Sequence, residues 1–328
     1  MDRVEINNNI KQIPKLIQNR RFRIILVIIT IIILYLIFHQ FTNRNTQQSN
    51  STFPHIDQNK QSDNNHKFID WEDAEIIPSI ATTPLAHVDT QPSVWWNRYN
   101  DITGAIHKSG KSSNILFIGD SITARWLQQG AAQWNNMTTN ELLQPINLGI
   151  DGDQTQHILY RLLHEHGQRD LYDIHKIKCI VLLCGTNNGY RAATESIQQV
   201  ASDTINGMMY ILQLLDHKFK HSTIILLNIL PRQDTVRFVH DTLVNQQLNQ
   251  FDREDGDLIV LDIRQQFLTQ SLSNIIHTLD SGSSNIYSNN NIPLNNELYA
   301  DGLHLTQAGY QIMYDSLLPH IRHAIQHD

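Results

Sequence analysis

Apolar positions along this chain recur with two different periods. Short apolar runs bounded by turn residues, Ile115 to Ile118, Ile146 to Leu148, Cys179 to Leu183, Ile224 to Ile229 and Leu258 to Leu261, read as strands. Between them the spacing is that of helices, over Ile122 to Gln128, Thr155 to Glu165, Ser196 to Phe219 and Val236 to Asp252, and a last helix over Gln307 to Gln326 closes the chain. Strands that are apolar on both faces and separated by helices predict a parallel sheet covered on both sides. The expected class is three-layer α/β/α, with a mainly parallel, flavodoxin-like sheet of about five strands. Right-handed crossovers then gather the loops at the strand carboxyl ends along one edge, where such sheets carry their sites.

One apolar stretch belongs to neither period. From Phe22 to Phe41 the chain reads FRIILVIITIIILYLIFHQF, interrupted only by Thr30 and Tyr35 between Ile24 and Phe38. Its length suits one transmembrane helix. Six bases (Arg3, Lys11, Lys15, Arg20, Arg21, Arg23) against two acids crowd its amino side, which places residues 1 to 21 in the cytoplasm and everything behind the span on the luminal or extracellular side. A cleaved secretory leader is the alternative, but His39-Gln40-Phe41 lacks the small residues of a cleavage site. The expected organisation is a basic tail (1–21), a signal anchor (22–41), a polar stalk or linker (42–91) and a folded domain (92–328). Two glycosylation sequons, Asn50-Ser51-Thr52 and Asn136-Met137-Thr138, agree with a secretory-pathway location.

Composition narrows the function. Hydrophobic residues make up 41% and charged ones 17%, enough apolar material for a real core. The net charge of -7 gives no broad cationic surface for nucleic acid. Cys179 and Cys184 are the only cysteines, and their spacing along one strand points them to opposite faces, as core thiols.

Four short motifs fall on the predicted sheet edge. Gly119-Asp120-Ser121 follows the first strand and opens a helix. A serine there can act as a nucleophile, or simply cap the helix. Gly149-Ile150-Asp151-Gly152 is a second strand-to-helix turn, whose glycine N–H can approach an oxyanion or merely turn the chain. Gly185-Thr186-Asn187-Asn188 ends the most apolar strand and offers a carboxamide, a common turn residue as well. Asp301-Gly302-Leu303-His304 places a carboxylate three residues before an imidazole, close enough to orient the ring for proton transfer. His320, His323 and His327 share a helix face, but no carboxylate or thiolate completes a metal set there.

In order and place these blocks resemble those of the SGNH (GDSL-type) hydrolases. NLGIDGDQTQHILYRL, LLCGTNNG, LNILPR and DGLHLTQAGY, with an aromatic lead-in helix near Trp95-Trp96, are similar in particular to the catalytic subunits of intracellular platelet-activating-factor acetylhydrolase. The resemblance covers about residues 92 to 322. It implies Ser121 as nucleophile, His304 as general base and Asp301 as the group orienting it. The Ser121 N–H, the Gly152 N–H and the Asn187 side chain would form the oxyanion hole, with no metal and no cofactor. Ile122, Thr186 and Leu303, adjacent in sequence to those groups, are the expected acyl pocket. Asp151 departs from the glycine common in these relatives, and the Ser- and Asn-rich stretch 271–296 is longer than the corresponding loop.

The resulting expectation is a membrane-anchored serine esterase that removes a short acyl group, acetyl above all, from a lipid or a glycan. A catalytically silent ligand-binding module on the same scaffold is the alternative. A flavodoxin-like redox carrier would share the sheet without needing the DGLH block. Relatives in the subgroup pair, so a homodimer is a candidate assembly.

Overall fold

The computed structural model describes residues 72, 74–87, 92–109, 112–163, 176–251, 257–280 and 292–326. The expected tail, the anchor at 22–41 and the linker up to residue 70 lie outside them. Among the described residues no helix is long and apolar enough to cross a membrane.

Five strands form one sheet: β1 (Ile115–Gly119), β2 (Pro145–Gly149), β3 (Cys179–Leu183), β4 (Thr223–Leu227) and β5 (Leu258–Leu261). Their order is β2-β1-β3-β4-β5 and every pairing is parallel. Alternation along each strand divides the core in two. Leu116, Ile118, Ile180, Leu182, Ile224 and Leu226 face one layer, whereas Ile115, Phe117, Val181, Leu183, Ile225 and Leu227 face the other. Cys184 lies in the first layer and Cys179 in the second, both free, and burial pushes both thiols upward.

The helices are α1 (Pro92–Ser109), α2 (Ser121–Ala124), α3 (Ala131–Thr138), α4 (Thr155–Leu163), α5 (Ile197–Lys218), α6 (Thr235–Leu248), α7 (Leu272–Asp280) and α8 (Gln307–Gln326). The first core layer is filled from α1, α4, α5 and α6, the second largely from α3, α7 and α8. β4 stops before the predicted Ile229 because a side chain takes over the backbone pairing. The Asn245 carboxamide on α6 accepts from the Ile229 N–H at 2.8 Å and donates to the Ile229 carbonyl at 2.9 Å.

Three parts depart from the sequence expectation. The helix expected over Ile122 to Gln128 is one α-helical turn, continued by a 3-10 turn over Arg125–Leu127. The stretch expected as a long polar loop holds α7, which buries Ile275 in the second layer. Leu272, Ile275, Ile276 and Leu279 have the spacing of a helix face that Ser and Asn content obscures. Finally, residues 74–87, read as linker, pack on the folded unit. The Ala74 carbonyl accepts from Gln213, the Ala81 carbonyl from the Thr155 hydroxyl, both at 2.9 Å, and Ala81 is wholly buried.

The strand order reverses between β1 and β3, and the carboxyl ends of β2, β1 and β3 are level, with Gly119 opposite both Gly149 and Leu183. Helix α2 rests directly on this edge. A Cβ added at Gly149 would lie 2.2 Å from the Ala124 nitrogen, so the close approach of α2 to β2 requires a residue without a side chain. This seat fixes where Ser121 begins its turn.

Candidate active site

Asp120, not Ser121, caps α2. The Asp120 carboxylate accepts from the Ile122 N–H at 2.9 Å, which leaves the Ser121 hydroxyl to face outward at the first helical position. That hydroxyl lies 3.0 Å from His304 Nε2. On the other side of the ring, His304 Nδ1 and Asp301 Oδ2 are 2.7 Å apart. The second Asp301 oxygen accepts the backbone N–H groups of Leu303 (3.1 Å) and His304 (2.7 Å). This fold-back needs a bend at Gly302, whose φ of 77° lies in the left-handed region.

The carboxylate is held ionised against its surroundings. Partial burial raises the Asp301 pKa, but hydrogen bonds from the His304 ring and the two backbone N–H groups outweigh it and leave the group below the usual carboxylate range. An anionic Asp301 fixes the His304 tautomer with the proton on Nδ1, so Nε2 has a lone pair directed at Ser121.

Gly152 and Asn187 flank Ser121 in the same cleft, which encloses about 330 Å³. The Asn187 side chain donates one amide hydrogen to the Asp153 carbonyl at 2.9 Å, and this orients the carboxamide. Asp153 is anchored in turn beneath the cleft, paired with Arg161 at 2.8 Å with both side chains buried, and accepting from the Trp95 indole at 2.7 Å. Arg161 also donates to the Leu148 carbonyl at 2.8 Å. The turn after β2 and the turn after β3 are thus held by one buried network.

Of the three expected acyl-pocket residues, only Leu303 lines the cleft. Ile122 is buried in the second core layer, its carbonyl accepting from the Tyr310 hydroxyl at 2.7 Å. Thr186 is buried too, and its carbonyl is drawn away by Arg232 at 2.9 Å, itself paired with buried Asp241 at 3.2 Å. Neighbouring positions in sequence point to different sides of a turn, which explains the difference.

Three cleft residues, His87, Arg125 and Tyr190, had no motif to reveal them, whereas Asp151 sits inside the second motif. His87 arrives from the packed segment before α1, its ring stacked on Trp95 and edge-on to His157 at a centroid separation of 4.5 Å. Arg125 and Asp151 line the mouth, their charged groups 3.6 Å apart. Arg125 follows Ser121 by four residues, a helical spacing that offered a signal. Tyr190, just behind the asparagine turn, completes the rim.

Two buried titratable groups lie beside residues that line the cleft. Burial pushes the Asp120 carboxyl up to about 7, against the opposing hydrogen bond from Ile122 and the charge of Arg232. Burial, with the neighbouring His87 and Arg161, pushes His157 down to about 3, so the ring is neutral and its Nδ1 accepts from the Gln154 N–H at 3.0 Å. Among the described residues, no group of three His, Cys, Asp or Glu side chains is placed to hold a metal ion.

The arrangement has the parts of an acyl-transfer site: a hydroxyl, an oriented imidazole and N–H donors around one cleft. The chain is similar to several known proteins. Platelet-activating factor acetylhydrolase IB subunit alpha2 of Homo sapiens is 32% identical over 153 residues, an alignment covering 46% of this chain and 58% of that protein, less than two thirds of its length. Subunit alpha1 of Homo sapiens is 28% identical over 200 residues, 61% of this chain and 71% of that protein. A GDSL-like lipase structure from Bacteroides thetaiotaomicron aligns with a TM-score of 0.49 at 18% identity, covering 70% of this chain and 98% of that one. The model of the GDSL-like lipase/acylhydrolase family matches residues 117–312, and the chain belongs to that family.

Proposed function

We propose that this protein is a serine esterase that hydrolyses short-chain carboxylic esters, acetyl esters above all, through an acyl-enzyme. The observation that carries the reading is the unbroken line from Ser121 Oγ to His304 Nε2 (3.0 Å) and from His304 Nδ1 to Asp301 (2.7 Å). Ser121 attacks the ester carbonyl while His304 takes its proton, and the C–O bond to the alcohol breaks as His304 returns that proton to the departing oxygen. Water, deprotonated by the same imidazole, then releases the acid and restores the serine. The Ser121 and Gly152 N–H groups and the second Asn187 amide hydrogen stabilise the oxyanion of each tetrahedral intermediate. Leu303 forms the acyl wall, and with Ile122 and Thr186 turned into the protein, little apolar surface remains for a long acyl chain. The apolar run at 22–41 supports a single-pass anchor that holds this domain on the luminal or extracellular side.

A fluorophosphonate probe tests the chemistry. It labels the folded wild-type protein and spares Ser121→Ala. Lack of labelling of folded wild type favours the silent binding module instead. The anchor is tested separately: glycosylation at exposed Asn136 in a eukaryotic secretory host, read as a shift on deglycosylation, is expected, whereas protease sensitivity of the domain from the cytoplasmic side refutes the orientation.

A further inference from the structure

The walls of the cleft say which alcohol the ester carries. An alkyl chain gains about 0.8 kcal/mol per buried CH₂ only where it meets apolar wall, and it loses that gain where it strips water from charges. Leu303 is the sole aliphatic residue on the described wall. Opposing charges dominate the mouth. Asp151 keeps 55% of its side chain exposed and Arg125 keeps 23%, and their separation of 3.6 Å is longer than a hydrogen bond. Guanidinium donors and carboxylate lone pairs are therefore available to a ligand that brings both acceptors and donors.

Tyr190 adds a flat surface. The residue is 46% exposed, and the Arg237 guanidinium sits 4.0 Å from the ring centroid, which steadies the ring. The negative face of a fixed aromatic ring attracts the polarised C–H groups of a pyranose, whereas a flexible chain gains no comparable orientation. His87 contributes one more polar side chain to the cleft wall.

We infer that the cleft accepts esters of polyhydroxylated alcohols, O-acylated sugars, with Asp151 and Arg125 holding ring hydroxyls and Tyr190 supporting a ring face. This rests on the esterase reading and names its substrate class. A sugar unit presents hydroxyls and a ring face to these groups, while the long alkyl chain of an ether lipid has only Leu303 to pack against among the described cleft residues.

The test compares kcat/KM of the full-length protein for methyl 6-O-acetyl-glucopyranoside, whose other hydroxyls are free, a monomeric 1-alkyl-2-acetyl-glycerophosphocholine and p-nitrophenyl acetate. The expected result is a preference for the sugar ester over the lipid ester of at least about tenfold, the worth of a charge-assisted hydrogen bond. In Asp151→Ala and Tyr190→Ala the ratio of sugar-ester to aryl-ester kcat/KM falls at least about tenfold, a discrimination that a purely structural role does not produce. Turnover of the aryl ester with preference for the lipid ester, or variants that slow both substrates in parallel, overturns this inference and leaves the esterase intact. No turnover of any of the three overturns both.

Discussion

Replacing Asn187 by alanine tests the oxyanion hole at its most exposed assumption. One amide hydrogen of Asn187 is spent on the Asp153 carbonyl at 2.9 Å, and that bond aims the other at the cleft. The substitution removes a donor that acts on charge present only in the transition state. Such a loss costs about 2.7–4 kcal/mol, or roughly 100- to 1000-fold in kcat, with KM nearly unchanged. It also leaves the Asp153 carbonyl without its Asn187 partner, a structural cost of about 1–3 kcal/mol that lowers the melting temperature. Steady-state kinetics on p-nitrophenyl acetate, run well below the measured Tm of each variant, separate the two effects. A kcat that falls less than about threefold in a folded variant, or a loss carried by KM, refutes the placement of Asn187 as an oxyanion donor.

Three further outcomes follow from the buried groups around the site. Asp120 has its carboxyl raised from 3.8 to about 7, so the stability contributed by its protonated form is fully present below 3.8 and is lost as pH rises through about 7. That span corresponds to roughly 4 kcal/mol, and in Asp120→Asn, urea denaturation between about pH 5 and pH 8 should show that portion of the pH dependence gone. An unchanged slope contradicts the burial argument. Gly149→Ala drives a Cβ against the Ala124 nitrogen at 2.2 Å, and should lower stability by about 1–3 kcal/mol together with kcat, read by denaturation and turnover on one sample. Full activity in that variant means that α2 has another seat. Arg161→Met strands Asp153 as a buried charge and should cost about 3–5 kcal/mol in urea unfolding, against which Arg161→Met with Asp153→Asn recovers a measurable part.

What the sequence made legible is what local backbone determines. The apolar runs at Ile115 and Cys179 predict central strands because a sheet covered on both sides leaves no position for a polar residue, and both strands are wholly buried. Cys179 and Cys184 were expected on opposite faces, and they lie in opposite core layers. Asp301 and His304 are close because one glycine bend joins them. Their proximity to Ser121 follows from strand order, since parallel strands bring every carboxyl-terminal loop to one edge. The cap showed a limit of this reasoning. Asp120 and Ser121 both suit a helix start, and only the contact with Ile122 assigns the duty to the aspartate, which frees the serine.

The walls of the cleft obey a different logic. His87 belongs to a segment with neither helical nor strand period, and it reaches the site because Ala74 and Ala81 dock on α5 and α4. Ile122 and Thr186 adjoin functional residues in sequence yet turn inward, one held through Tyr310 and the other through Arg232. These placements depend on tertiary contacts between distant positions, which carry no periodic signature. The separation has a chemical consequence. The reacting groups are set by short motifs and strand order, so the chemistry belongs to chains that keep those motifs on this sheet. On the reading proposed above, the alcohol is chosen by side chains that flank those motifs, Arg125 and Asp151 at the mouth and Tyr190 on the rim, so substrate preference can change without disturbing the Ser121–His304–Asp301 line.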